Sequence, residues 1–147
     1  MLNEIYSRRI LELAAAIPHL GRLADADASA TAHSRLCGST VTVDLKVEGD
    51  VVTAFAHDVK ACALGQASSS IMGRHVIGST AQELREVREA AHRMLKAGGE
   101  PPKGKWADLA VLEPVRDFKA RHASVLLTFD AVVEALDRIA ARRGQGT

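Results

Sequence analysis

No stretch of the chain approaches the roughly 20 consecutive apolar residues that a bilayer-crossing helix requires, and the amino end lacks a signal-peptide pattern. Excess charge is missing too. Lys and Arg number 19 against 18 Asp and Glu, with no long basic run, so neither nucleic acid nor an anionic membrane is expected as the main partner. Cysteine is scarce: only Cys37 and Cys62 occur in 147 residues. These absences predict a cytoplasmic protein, and in that compartment thiols are kept reduced, which argues against a structural disulfide. Metal binding or thiol chemistry is the functional expectation. The simpler alternative is that a free cysteine packs as a small hydrophobe. Residues 1–147 are long enough to form one domain with a real core and no cross-links.

What is present is organised around the two cysteine stretches. Val41, Val43, Leu45 and Val47 alternate with Thr42, Asp44 and Lys46, the period-two pattern of a half-buried strand. Glu48-Gly49-Asp50 supplies a turn, and a second run from Val51 to Val59 heads back. An out-and-back hairpin returns the chain to its starting end, so Cys37 and Cys62 are expected near one end of the sheet.

Around the hairpin the pattern is mostly helical. Leu2, Ile5, Tyr6, Ile10, Leu13 and Ile17 predict an amphipathic helix ending at Pro18, and residues 22–35 read as a surface loop. Residues 61–76 predict a helix with Cys62 in its first turn, where the helix dipole and free amides favour a thiolate. Ser68-Ser69-Ser70 reads as small residues allowing close packing, since no base is spaced to activate a serine. Gly78 closes that helix, and Thr80-Ala81-Gln82-Glu83 opens another as a capping box. Leu84, Val87, Ala91 and Met94 or Leu95 mark its buried stripe, with Glu83, Arg85, Glu86, Arg88 and Glu89 on a solvated face. Residues 98–112, with the sole tryptophan Trp106, read as an insertion-like loop. A last helix is expected from about Phe118 to Arg143, apolar through Val125, Leu126, Phe129, Val132, Val133, Leu136 and Ile139. His122 falls in its first turns, a position that by itself suits a surface or capping residue.

Together these stretches resemble the IscU/NifU-type iron-sulfur cluster scaffold family, including its SufU branch, over nearly the whole chain. Pro18-His19-Leu20-Gly21 is similar to the family's turn after the first helix, and Cys37-Gly38-Ser39 to its Cys-Gly-Asp motif. Ala61-Cys62 with Ala67-Ser68-Ser69-Ser70 is similar to its Gly-Cys segment and serine helix. Leu112-Glu113-Pro114-Val115-Arg116 resembles Leu-Pro-Pro-Val-Lys, and Arg121-His122-Ala123-Ser124 resembles the His-Cys-Ser segment. The loop over 98–112 gives the chain a SufU-like layout.

The resemblance implies an α+β fold, a small and largely antiparallel sheet with helices packed on it. It implies a scaffold or carrier in iron-sulfur cluster assembly, with a cysteine desulfurase as sulfur donor and acceptor apo-proteins or cluster carriers as recipients. Cys37, Cys62 and His122 carry over as ligands of a 2Fe-2S cluster or of zinc. Ser39 stands where the family has Asp, a poorer ligand, and Ala123 stands where it has its third Cys. Ser39, water, a partner's cysteine, His33 and His57 are the candidates for a fourth ligand. A zinc-dependent sulfurtransferase that accepts persulfide sulfur on Cys62 is the alternative on the enzyme side. A degenerate member that only binds partners is the third reading.

Overall fold

The computed structural model describes residues 7–36 and 38–145. Its elements in chain order are α1 (Arg8–Ala15), β1 (Ala28–His33), β2 (Thr40–Glu48), β3 (Val51–Lys60), α2 (Ala63–His75), α3 (Ala81–Lys96) and α4 (His122–Gln145). Two 3-10 segments, Gly104–Asp117 and Lys119–Arg121, lie between α3 and α4. The strands form an antiparallel sheet in the order β1-β2-β3, so the α+β expectation holds. Helix α4 lies against β1 and β2, α2 against β3, α1 on α2, and α3 on α4. No described helix is long and apolar enough to cross a membrane.

The hairpin forms where the alternation places it. Val41, Val43, Leu45 and Val47 are buried and join one apolar core with Val125, Phe129, Val132 and Leu136 of α4. Gly49 takes φ 61° in the turn, a left-handed conformation that costs a Cβ-bearing residue about 1 kcal/mol or more.

Residues 22–35 are not the expected loop, because they contain β1. The inward side chains of this strand are Ala28 and Ala30, 5% and 2% exposed. Methyl groups let α4 pack closely over the strand, and they carry too little hydrophobic contrast for alternation to stand out. The approach to β1 is fixed by a buried carboxylate. Asp44 on β2 accepts from Arg22 Nε at 2.7 Å and Nη2 at 3.0 Å, from the Leu23 amide at 2.9 Å and from Ser29 Oγ at 2.5 Å. The Arg22 hydrogen bonds lead in holding the Asp44 carboxyl at about 2, against the cost of its burial.

Helix α1 begins at Ser7, whose Oγ accepts from the Ile10 amide at 3.3 Å, and it buries Ile10 and Leu13. The expected apolar positions Leu2, Ile5 and Tyr6 lie outside the described residues. After α1 the chain runs along β3: the Gly21 amide donates to His57 O at 2.8 Å and the His57 amide to His19 O at 3.1 Å. A Cβ at Gly73 would sit 3.0 Å from Pro18 O, so this glycine allows α2 to pass under the segment.

Thr80 caps α3 as expected, its Oγ1 accepting from the Glu83 amide at 3.0 Å. Glu83 does not simply face solvent, for its carboxylate accepts Trp106 Nε1–H at 2.9 Å and pairs with Lys105 at 3.1 Å. The segment expected as an insertion-like loop over 98–112 is largely a succession of 3-10 turns. Trp106, Leu109, Leu112 and Val115 are all buried, and their spacing of three is the repeat of that helix. Helix α4 consequently starts at His122, later than the expected Phe118.

Candidate functional site

Strand β3 ends at Lys60, paired with Thr40 at the start of β2, so the loop 34–39 and the residues just past Lys60 share one end of the sheet. That loop is closed by the Ser34 amide on Ser39 O and the Gly38 amide on Ser34 O, both 2.9 Å, with Gly38 at φ 70°. Ser39 is buried, 2% exposed. Cys37 belongs to this loop by sequence and lies outside the described residues.

Cys62 is the N-cap of α2 and not a residue of its first turn. It is half-buried, with extended backbone, and its side chain makes no capping hydrogen bond. The turn is instead secured by Gln66, whose amide donates to Cys62 O at 2.8 Å and whose Nε2 donates to Ala61 O at 2.9 Å. The thiol is therefore not spent on holding its own helix.

The start of α2 is pressed against the start of α4. A Cβ on Gly65 would fall 2.7 Å from Ala61 Cβ and 3.1 Å from Ser124 O, and Ser68 Oγ donates to Val125 O at 2.6 Å. The small residues read as packing residues do pack: Ser68, Ser69 and Ser70 are wholly buried. Two helix N-termini, one headed by Cys62 and the other by His122, thus meet at one corner of the fold.

His122 is 5% exposed. Its Nε2 lies 2.9 Å from Arg116 O and 3.1 Å from Val115 O. Carbonyl oxygens only accept, so Nε2 carries a proton, and the neutral form of the ring has its lone pair on Nδ1. An imidazole held through one nitrogen by backbone carbonyls, with the other left as a base, is the usual state of a metal-ligating histidine. Leu95, Lys96, Arg116, Lys119 and His122 line a cavity of about 380 Å³. Ala123 is half-buried beside His122.

The other candidate histidines are engaged differently. His33 is exposed at the end of β1, its Nδ1 2.9 Å from Thr40 Oγ1. His57 is wholly buried; its Nε2 donates to Pro18 O at 2.8 Å and its Nδ1 has no partner. Burial leads in pushing the His57 imidazole below its ordinary range. The ring serves the Pro18–Gly21 segment. Among the described residues, no three His, Cys, Asp or Glu side chains are grouped to hold a metal ion.

The Val115 and Arg116 carbonyls that fix His122 were not foreseen from sequence, since backbone acceptors leave no residue-type signal. Gly65 did leave one, as a glycine inside a helical stretch marks a close approach.

Comparison with known proteins places this arrangement. The model of the NifU-like N terminal domain matches residues 5–125. The iron-sulfur cluster assembly scaffold protein IscU of Thermotoga maritima is 30% identical over 135 residues, 92% of this chain and 94% of the relative. The crystal structure of a nitrogen-fixing NifU-like protein (N-terminal) from Brucella abortus superposes with a TM-score of 0.94 at 60% identity, covering 95% of this chain and 97% of that one. A protein assigned as the iron-sulfur cluster assembly scaffold for the SUF system of Fervidobacterium islandicum AW-1 gives 0.83 at 26% identity, covering 90% and 96%. The chain belongs to the NifU-like N-terminal domain family, that of the IscU-type iron-sulfur cluster assembly scaffolds.

Proposed function

We propose that this protein is a scaffold or carrier in iron-sulfur cluster assembly, with Cys37, Cys62 and His122 as the protein ligands of its cargo. The observation that carries the reading is the meeting of the α2 and α4 N-termini, sealed by Gly65 against Ser124, at the sheet end where loop 34–39 begins β2. Two thiolates and an imidazole are soft and borderline donors suited to iron in a sulfide cluster or to zinc. Ser39 and Ala123 supply no carboxylate or thiol, so the set leaves a coordination position for water or for a donor from a second protein. A cysteine desulfurase would deliver the sulfur and acceptor apo-proteins would take the cargo.

The test is anaerobic reconstitution with iron, sulfide and reductant. Cluster absorbance is expected in the wild type and is expected to be lost in Cys37→Ala/Cys62→Ala and weakened in His122→Ala. Absence of absorbance in the wild type, or its persistence in the double variant, would refute the reading.

A second reading rests on Cys62 itself. Its thiol heads α2 without serving as a cap, which suits a nucleophile at a helix start. In a sulfurtransferase it would attack the outer sulfur of a desulfurase persulfide, forming the Cys62 persulfide and releasing the desulfurase thiolate, with zinc held at the same site. Stoichiometric zinc together with stimulation of a desulfurase that Cys62→Ala abolishes is the result expected on this reading; metal-free protein without effect on a desulfurase removes it.

A further inference from the structure

We propose that Arg116 is the positioning residue that sets which nitrogen of His122 faces the metal, an inference that rests on the ligand role given to His122 above. The chain of contacts is continuous. Arg116 Nη2 donates to Gly99 O at 3.1 Å and to Glu113 Oε2 at 2.8 Å. Gly99 is itself tied to the end of α3, its amide donating to Arg93 O at 2.9 Å. The guanidinium therefore staples the last 3-10 turn to α3, and it is the carbonyls of this turn, Val115 O and Arg116 O, that take the Nε2 proton of His122.

The staple matters because 3-10 turns are poorly stabilised by their own hydrogen bonds. Pro114 lies inside the segment and supplies no amide. Val115 anchors it from the apolar side, wholly buried. Arg116 anchors it from the polar side. With both in place, the two carbonyls are fixed before any metal arrives, and the Nδ1 lone pair is selected in advance. Loss of the guanidinium leaves the ring free to exchange tautomers, and part of the ordering must then be supplied on binding. Partners that orient a ligating histidine typically change metal affinity 10–100-fold. Because Arg116 acts one step further out, the lower end of that range, about tenfold, is expected.

The experiment begins with metal-free, ¹⁵N-histidine-labelled wild-type protein. NMR is expected to report His122 as the Nε2–H tautomer with a slowly exchanging ring proton; an Nδ1–H tautomer overturns the proposal whether or not the protein binds metal. Zn²⁺ is then added as the probe, and the expected shift is at Nδ1; a shift at Nε2 also overturns it. If zinc moves neither nitrogen while the tautomer is as expected, the ligand role of His122 fails and the positioning proposal fails with it. Arg116→Gln is expected to speed ring-proton exchange and weaken Zn²⁺ binding about tenfold, and wild-type exchange in this variant would refute positioning. Both bonds of the staple leave one nitrogen, Nη2, which a lysine ammonium can imitate, so Arg116→Lys is expected to restore part of what Arg116→Gln loses. Should Arg116→Gln fold poorly, Glu113→Ala removes one acceptor of the Arg116 guanidinium and is expected to show the same exchange effect in smaller measure; no effect there would count against the proposal.

Discussion

Asp44→Asn tests whether one buried carboxylate fixes the entry to β1. The Asp44 side chain is 1% exposed and meets donors from Arg22, Leu23 and Ser29. Its carboxyl is held at about 2 against an ordinary 3.8, with the Arg22 hydrogen bonds as leading cause. A depression of that size corresponds to about 2 kcal/mol favouring the ionised folded form. The sign follows from linkage: with the folded value below the unfolded one, the contribution is complete above 3.8 and is lost as pH falls from there through about 2. Asparagine removes the charge, keeps one acceptor oxygen and points an NH₂ group at donors. Loss of charge-assisted bonds with a partner left behind predicts destabilisation of about 2–4 kcal/mol at pH 7. Urea denaturation of both proteins at pH 7, 5, 4 and 3 measures it. The gap is expected to be constant down to pH 5 and to narrow below pH 4. A gap under about 0.5 kcal/mol at pH 7, against the range expected for such a pair, or parallel curves down to pH 3, would refute the reasoning.

Three further outcomes are expected. His57 is buried with Nδ1 unpartnered and its value is lowered by burial, so its contribution is present above its ordinary 6.5 and is lost as pH falls below that; stability measured between pH 7.5 and 5 should decline, and His57→Gln should flatten the decline. Gly65→Ala forces a methyl against Ala61 and the Ser124 backbone carbonyl, which is expected to cost about 1–3 kcal/mol and to weaken Zn²⁺ binding, read by thermal melting and competition titration. Ala123→Cys adds a third thiolate beside His122 and should tighten Zn²⁺ binding at least tenfold; an unchanged affinity would place residue 123 away from the ligands.

Legibility from sequence tracked the contrast between neighbouring side chains. The β2–β3 hairpin was readable because valine and leucine alternate with threonine, aspartate and lysine, and because Gly49 marks the turn. β1 was not, since an Ala-Ser-Ala-Thr-Ala pattern has almost no hydrophobic contrast and its inward positions are set by the closeness of α4. The 3-10 segment did carry a signal, a stripe at 106, 109, 112 and 115, which a search for periods of 2 and 3.6 passes over. At the site, the hairpin argued for Cys37 and Cys62 at one end of the sheet, while His122, which by itself suits a surface or capping residue, entered only through the family resemblance. The tautomer of His122 was invisible because it is decided by two backbone carbonyls. The ring of His57 was likewise assigned to a different task only by its contact with Pro18 O.

The reduced donor set has an electrostatic consequence on the proposed reading. Two thiolates and a neutral imidazole balance a divalent ion, whereas a set with a third thiolate and a carboxylate would leave two negative charges in excess. A surplus of that kind is stabilised by cations nearby, and here Lys96, Arg116 and Lys119 line the cavity beside His122. With the two acidic donors absent, those cations are left with less negative charge to face from within the chain. Lys96 and Lys119 are exposed, and Arg116 is the one already committed, to Glu113 and Gly99 O. If the metal is held beside this cavity, an anionic donor from outside, a thiolate or carboxylate, would complete the set better than water. A thiolate from a sulfur-donating partner meets that requirement of charge and also the softness of the metals considered. On the proposed reading, Ser39 and Ala123 would thus do more than remove two ligands: they would shift the final step of binding to an encounter with a second molecule.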